Sequence, residues 1–495
     1  MSEISTESLK EKLVDIVGNP KVVCREEPLL EFSRANIGSG EKPMFIVKPQ
    51  TAKEVEGLIG LARDSRLNLV PASSGPPHMK GGTLLNKEGV VVDLLDMKNI
   101  RLMDRRNKVA LVEPGVTYAQ LQEEADKHNL KVLSPLLPKA NKSVLASYLE
   151  RDPMLIPKYH WDMSDPLLCT EIIFGNGRLY RTGSAGGPGS IKQKIEAKSM
   201  FKNPLGPGQT DLMKIVQGAQ GTMGIVTWAS VKLEVKPSIH RMYFVADDKL
   251  ERLIDFSYRV LRPKLADEFF ILNKQAFAAM TAQNPDDIAG MTEKEKAYVV
   301  IYGVSGYDVC PEDRIAFQEH DIVKIAQQTG VKIDNTYMGV TGTRLSRIID
   351  RPSPDPYYKN NIQGGFTDIH FLSTMDKADR FIGVMSEFLT ENGYPVSELS
   401  TYIQPILFGR ACHIEFSLYY NPEDGKAVGE MERLYPAASE VMAKAGAFYS
   451  RPYGCWADLA YSRCNDTAMA LKKVKTIFDP EHILNQGKLV FKEAI

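Results

Sequence analysis

The stretch from residue 68 to residue 83 constrains this chain more than any other. A short apolar run, Asn68-Leu69-Val70-Pro71, passes into Ala72-Ser73-Ser74-Gly75-Pro76-Pro77-His78-Met79-Lys80-Gly81-Gly82-Thr83. Prolines and glycines at this density rule out helix and interior strand. A buried strand must therefore stop here and release an ordered loop. A backbone without Cβ atoms can approach a diphosphate closely and aim its N–H groups at the oxygens; a plain surface loop is the alternative. The spacing is neither the GxGxxG dinucleotide fingerprint nor a Walker A loop, so a nicotinamide enzyme of the doubly wound type is not expected.

Similar joints flank that loop. Phe45-Ile46-Val47-Lys48-Pro49 reads as a short strand, Thr51 is placed to cap a helix, and Glu54 follows at the capping-box position. Val55, Leu58, Ile59 and Ala62 then recur at helical spacing. Residues 6–16 read as an amphipathic helix, 90–94 as a buried strand, and 108–117 as strand, tight turn at Pro114-Gly115 and helix start. From 170 to 183 the strand pattern returns, with Gly175-Asn176-Gly177 as a hairpin turn. The stretch 188–208, rich in Gly, Pro and Lys, reads as an ordered loop. Gly218-Ala219-Gln220-Gly221-Thr222-Met223-Gly224-Ile225-Val226-Thr227 then leads into an alternating strand that stops at Pro237.

Residues 240 to about 445 differ in texture. Strand-like runs at 242–245, 298–302, 367–372 and 413–420 alternate with amphipathic helices, clearest at 377–392 and 425–445. This predicts an antiparallel sheet with helices on one side, making the chain α+β. Residues 351–358 carry three prolines and must form a loop.

Composition narrows the function. Lys+Arg total 61 and Asp+Glu 62, a net charge of −1, which disfavours nucleic acid as a partner. With 43% hydrophobic and 25% charged residues the chain is globular rather than disordered. No apolar run approaches the ~20 residues of a membrane span, and the polar, acidic start lacks a secretory pattern. Cysteines at 24, 169, 310, 412, 455 and 464 form no CxxC pair, so no metal centre is expected. A reduced, cytoplasmic protein follows.

The order of the segments is more specific than any one of them. A PxTxxEV strand-to-helix start, the glycine loop, VVVDL, VEPGVTYAQL, GNGRLYRTG, GAQGTMGIVT and FDPEHILNQGK follow one another. This series resembles the vanillyl-alcohol oxidase and p-cresol methylhydroxylase superfamily of FAD-dependent oxidoreductases, most strongly over 45–237 and 478–489. The resemblance implies FAD, held by a PCMH-type domain of two α+β subdomains over 1–237. It implies a cap domain with a large antiparallel sheet flanked by helices over 238–450, and a segment 451–495 that returns to the first domain. It places the cofactor against Pro71, Ser73, Ser74, Gly75, Pro76, Pro77, His78, Gly81 and Gly82, the turn Pro114-Gly115, the run Gly221, Gly224, Ile225 and Val226, and Asn485. His78 reads as solvated or facing the diphosphate, because the GGH-type pattern of the bicovalent subfamily is absent.

Within the family the phenol-oxidising branch is nearest. Its YTPYG[DE]H-like run is similar to Pro157-Lys158-Tyr159-His160-Trp161-Asp162-Met163, which puts Asp162 at the position of an acidic residue above the flavin and implies that it acts as a base there; an exposed loop aspartate beside Lys158 is the alternative. Arg451, Tyr453 and Tyr461 lie where that branch surrounds a phenolate with an arginine and tyrosines. A guanidinium and phenolic O–H groups stabilise an oxyanion in a dry pocket, and the guanidinium would equally grip a carboxylate. His413, in an alternating strand, is a candidate flavin link, proton acceptor or metal ligand, or else a hydrogen-bonded core histidine. His370 has the same ambiguity and points to the same sheet, and Glu415 could pair with His413. One departure stands out: the family's glycine-rich approach to the flavin is here Ala140-Asn141-Lys142-Ser143-Val144-Leu145-Ala146-Ser147-Tyr148-Leu149-Glu150.

The expected activity is FAD-dependent dehydrogenation of a 4-alkylphenol or aromatic alcohol. The alternatives are a 2-hydroxy acid dehydrogenase of the lactate or glycolate type, and an FAD-binding electron-transfer subunit of a larger redox complex. The expected partners are a small-molecule substrate and an electron-acceptor subunit (cytochrome, electron-transfer flavoprotein or iron–sulfur protein), in a homo- or hetero-oligomer.

Overall fold

Three sheets organise the chain, each following from its own sequence texture. The structure, a computed structural model, describes residues 5–76, 78, 80–198 and 201–492; Pro77 lies outside that set. In the first sheet, strands Phe45–Val47, Val90–Asp93 and Leu69–Ala72 run parallel, with Val22–Val23 antiparallel at one edge. Val47, Val90, Val91 and Val92 are fully buried, as the near-continuous apolar runs of parallel strands require. Helix Ala52–Ser65 connects the strands at 45–47 and 69–72. Its capping box forms between Thr51 and Glu54, and Val55, Leu58, Ile59 and Ala62 are its buried face.

The second sheet is antiparallel, in the order Ile100–Asp104, Val109–Val112, Gly224–Val235, Leu167–Phe174, Leu179–Arg181. The long central strand also pairs with Leu130–Val132. The 188–208 stretch is not all loop. Ser190 and Gln193 form a capping box that starts a short helix, Ile191–Glu196, a local signal masked by the flanking glycines and prolines.

The third sheet has seven antiparallel strands, in the order Ile333–Asp334, Ile239–Asp247, Tyr298–Gly306, Phe269–Asn273, Ser400–Ile406, Ala411–Tyr420, Gly365–Ser373. Side chains alternate across it. Ile271, Val300, Ile369, Phe371, Ile414 and Phe416 share one core with the long helices Leu250–Leu261, Pro311–Thr329, Ala378–Glu391 and Gly425–Ala445. Phe244, Phe270, Leu272, Phe366, Tyr402 and Tyr419 enter a second core on the other face. Helices are therefore not confined to one side. The short helices Lys274–Thr281 and Gly342–Ile349 cover part of the second face with Phe277, Met280, Leu345 and Ile349. The register sets Asp368 opposite Ser417, His370 opposite Glu415 and Leu372 opposite His413. By alternation Asp368, His370, His413, Glu415 and Ser417 share the second face.

The tail stays with the large sheet at first. Tyr449, Tyr453 and Trp456 belong to the core on its helical side. It then runs back to the first sheet, where Leu69 donates its N–H to the Ile483 carbonyl at 2.8 Å and Asn485 donates to the Leu69 carbonyl at 2.9 Å. A buried ion pair fastens this return. Asp479 Oδ2 meets Lys475 Nζ at 2.5 Å and accepts the Leu484 N–H at 3.0 Å, while Oδ1 accepts the Ile483 N–H at 3.1 Å. Lys475 also donates to the carbonyls of Thr222 and Leu484. Removing one member of such a pair strands the other charge. Asp479→Ala should therefore cost about 3–5 kcal/mol in urea unfolding, with Lys475→Met comparably damaging.

Candidate active site

The loop 71–83 is held from below. Gly221, at φ +72°, packs against the Pro71 ring where any Cβ would collide. The Asn485 carboxamide donates to the Gly82 carbonyl at 2.8 Å and the Gln220 carbonyl at 2.6 Å, joining two segments that are far apart in sequence. Lys488 Nζ donates to the Gly81 carbonyl at 3.0 Å and to Asn86 Oδ1 at 2.8 Å, and burial pushes its pKa down to about 8. Ser74 Oγ accepts the Ser143 N–H at 3.1 Å, tying the loop to the next helix start.

Above this loop opens a cleft of about 1680 Å3, mouth included. Pro71, Ser73, Ser74, Gly75, His78, Gly81, Gly82, Pro114, Gly221, Gly224, Ile225 and Val226 line it on one side. Lys359, Asp368, Tyr402, Glu415, Arg451 and Tyr453 line it from the large sheet and the tail. His78 is buried beside Phe32, and its Nε2 has no hydrogen-bond partner among the described residues. Burial, with Lys142 and Lys139 nearby, pushes the His78 pKa down to about 4. Gly115 and Asn485 act one step behind the lining. Gly115 packs against the backbone of Leu94 and Leu95, and Asn485 holds Gly82. Pro76 is half-buried outside the wall.

A polar network crosses the cleft between the lobes. Lys80 and Arg451 both grip Asp152 Oδ1, Arg451 Nη1 at 3.3 Å. Ser147 donates to Asp152 Oδ2 at 2.8 Å, and Tyr118 donates to Ser147 at 3.0 Å. Lys142 Nζ bonds Glu150 at 2.6 Å. Burial opposes ionisation of Asp152, but Lys80, Lys142 and Arg451 together hold its pKa well below the usual carboxylate range. Arg451 Nη2 donates to Nδ1 of His370 at 3.1 Å and to Nδ1 of His413 at 3.0 Å. Both rings therefore carry their proton on Nε2, and His413 points its Nε2 at Glu415 Oε2, 3.3 Å away. Burial drives the His413 pKa down to about 4, with the Glu415 bond opposing and Arg451 adding to the fall. Burial and Arg451 hold His370 well below the ordinary value too. Lys359 Nζ then bridges Glu415 Oε1 and Asp368 Oδ1, both at 2.7 Å, and Ser417 donates to Asp368 at 2.6 Å.

Only part of the expected site meets in this cleft. Arg451 and Tyr453 line it. His413 is fully buried one layer behind, locked to Arg451 and Glu415, and does not line it. Tyr461 is half-buried against the second sheet's core and does not line the cleft. Asp162 is displaced from the wall as well: its Oδ1 accepts from Ser450 Oγ at 3.0 Å and faces Arg151 at 3.7 Å. The acidic side chain on the wall beside Arg451 is Asp152. It lies two residues past the segment 140–150 that departs from the family's glycines, outside every motif. Lys80, Lys142 and Lys359 carry no local signal in the sequence, because a single lysine in a polar segment looks like any surface lysine.

Residues 43–141 match the family described as an FAD binding domain. The chain is 25% identical to the glycolate oxidase subunit GlcD of Bacillus subtilis, over 99% of this chain and 98% of that protein. It is 23% identical to D-2-hydroxyglutarate dehydrogenase of Stutzerimonas stutzeri, over 90% and 91%. It is 26% identical to the flavoprotein subunit of hydroxylating 4-cresol dehydrogenase of Pseudomonas putida, a match that spans 48% of this chain and 44% of that protein. Among solved structures, substrate-bound p-cresol methylhydroxylase superposes with a TM-score of 0.82 at 19% identity, covering 98% of this chain and 96% of that one. The 4-ethylphenol oxidase of Gulosibacter chungangensis, in complex with isoeugenol, superposes with a TM-score of 0.81 at 18% identity, over 99% and 98%. At those identities the structural likeness establishes the fold.

The depressed histidines imply acid sensitivity. In the unfolded chain each titrates near ~6.5, but in the fold His78 and His413 titrate near 4. The unfolded state takes up the protons first, so stability falls as pH drops from about 6.5 towards 4 and is unaffected above that window. Between pH 6.5 and 5 each histidine should cost about 2 kcal/mol, at ~1.4 kcal/mol per unit. Urea unfolding at pH 7.5 and pH 5.0 measures the fall, and His78→Phe should remove its share.

Proposed function

We propose that the chain, an FAD-binding oxidoreductase of the vanillyl-alcohol oxidase and p-cresol methylhydroxylase superfamily by its FAD binding domain and its relatives, dehydrogenates a 4-alkylphenol or aromatic alcohol. The observation that carries this reading is the wall opposite the glycine loop. There the buried Arg451 guanidinium shares the surface with Tyr357, Tyr358, Tyr402 and Tyr453. Aromatic faces with one buried cation suit a flat ring bearing an oxyanion.

The first lobe fits the diphosphate of FAD. Small residues at 73–75 and 81–82 leave the backbone open to the cleft, and the unpartnered His78 Nε2 supplies a buried polar group with no protein partner. In this reading Ser73, Ser74, Gly75, His78, Gly81 and Gly82 hold the phosphates, while Pro114, Gly221, Gly224, Ile225 and Val226 flank the nucleotide. FAD, when bound, supplies the two-electron acceptor. Arg451 binds and orients the substrate's anionic oxygen, and Tyr453 excludes water beside it. Asp152 keeps Arg451 aimed at the cleft. Reoxidation by an electron-acceptor subunit is part of the same proposal, since the Pseudomonas putida relative is named as the flavoprotein subunit of its enzyme.

A second reading keeps the chemistry and changes the substrate to a 2-hydroxy acid. It is favoured by the Arg451 cation on the cleft wall, whose charge suits a carboxylate as well as a phenolate, and by the full-length match to the glycolate oxidase subunit. Anaerobic bleaching of the bound flavin by 4-ethylphenol but not by glycolate or D-lactate supports the first reading; the reverse supports the second. In either case Arg451→Lys should lower kcat/KM about 10²-fold or more, because a point charge cannot replace the fork. Tyr453→Phe should cost about tenfold. Steady-state kinetics with the accepted substrate checks both.

A further inference from the structure

We propose that Asp368, coupled to Glu415 through Lys359, is the proton acceptor of this cleft, taking the carbinol hydroxyl proton of an aromatic alcohol or a 2-hydroxy acid as the hydride departs from the same carbon. The proposal deepens the functional reading above and rests on it for the substrate's presence in the cleft. In the step, the substrate O–H bond breaks with its electron pair left on oxygen, and the proton passes to the Asp368 carboxylate. The hydride leaves the substrate carbon with the other electron pair and reduces FAD by two electrons, so the substrate is oxidised by two.

The other ionisable groups on or behind the wall are committed elsewhere. Asp152 is held ionised by three cations and a serine hydroxyl, which leaves it a weak base. Glu150 faces Lys142 and Lys80. His370 and His413 both spend Nδ1 on the Arg451 guanidinium, and their Nε2 atoms already carry hydrogen. His78 lies across the cleft in the glycine loop, against Phe32. Tyr357, Tyr358, Tyr402 and Tyr453 are neutral phenols kept so by burial.

Asp368 and Glu415 differ from all of these. Both line the cleft, with side chains 18% and 15% exposed, and they share one ammonium, that of Lys359. One cation can neutralise only one of two adjacent carboxylates, so the pair has room for a proton. Among the described residues the surrounding elements add no further cation in direct contact. Ser417 and Tyr419 come from the partner strand and His370 from the same strand. His413 stands behind Glu415, Tyr357 and Tyr358 approach from the loop, and Tyr435 from the helix at 425–445. Burial and the Glu415 charge raise the Asp368 pKa beyond what Lys359 recovers, whereas Lys359 and His413 hold Glu415 down against its own burial. The accepting carboxylate is thus Asp368, and Glu415 is a positioning residue.

Two measurements on the FAD-loaded full chain test this. In stopped-flow anaerobic reduction by an aromatic alcohol or a 2-hydroxy acid, the wild-type rate should fall as pH drops through the cluster's titration, because a protonated carboxyl accepts nothing. Asp368→Asn should slow reduction about 10²-fold or more and abolish that acid limb. Asp368→Glu should restore most of the rate, and Lys359→Met should move the limb to higher pH. Infrared difference spectra against pH, without substrate, should show a carboxylic acid band that titrates in wild type and is lost in Asp368→Asn. An Asp368→Asn protein that retains FAD and keeps the rate, the limb or the band overturns the proposal. If no 4-alkylphenol, aromatic alcohol or 2-hydroxy acid reduces the wild-type flavin, the functional reading fails instead, and the infrared titration alone decides the proton site.

Discussion

The buried guanidinium of Arg451 is the interaction on which the rest of the structure depends. It donates to Asp152 on the first lobe and to His370 and His413 on the large sheet. A charge 3% exposed cannot stand alone in a protein interior. Its partners therefore dictate where the two lobes meet and which face of the sheet looks into the cleft. The buried Trp161 adds a cation–π contact, the centre of its ring 5.6 Å from the guanidinium carbon.

From that point charge alternates along the cleft. Lys80 and Lys142 lie beside Asp152 and Glu150, Arg451 follows, then the two neutral histidines, then Glu415, Lys359 and Asp368. Each histidine behaves as a neutral acceptor towards Arg451, which burial enforces by making the imidazolium costly. The chain of contacts gives the cleft two chemically different ends. The Arg451 end is cationic and suits an anion. The Asp368 end holds two carboxylates on one cation and suits a proton.

The cofactor side is built differently, by backbone rather than side-chain charge. The strand Leu69–Ala72 is pinned by the returning tail at Ile483 and Asn485. The loop above it is then propped by Asn485 and Lys488 through carbonyls, which leaves its small residues turned to the cleft. The Lys475–Asp479 pair gives the tail a buried anchor next to the loop's support. A cofactor lying on this loop would rest on a surface whose shape is set largely from the far end of the chain.

Local signals in the sequence reached far into this fold. The capping box at Thr51 and Glu54, the valine run at 90–92 and the helix at 425–445 are decided by neighbours within a few residues, and each appears where its pattern puts it. The alternation in Thr367-Asp368-Ile369-His370-Phe371 and in Cys412-His413-Ile414-Glu415-Phe416 set both histidines on one sheet face, because a strand's side chains alternate with period two. The ordered motifs pointed to the glycine loop, Arg451 and Tyr453. Tertiary structure alone decided that Asp152 rather than Asp162 faces the cleft, because a turn between them carries Asp162 to Ser450 and Arg151. It alone brought Lys80 to Asp152 and Lys359 to Glu415, pairs distant in the chain, and it alone turned His413 from a candidate on the wall into a support behind it. Those placements arise from burying charge between two lobes, a condition that appears only once both lobes have folded and met.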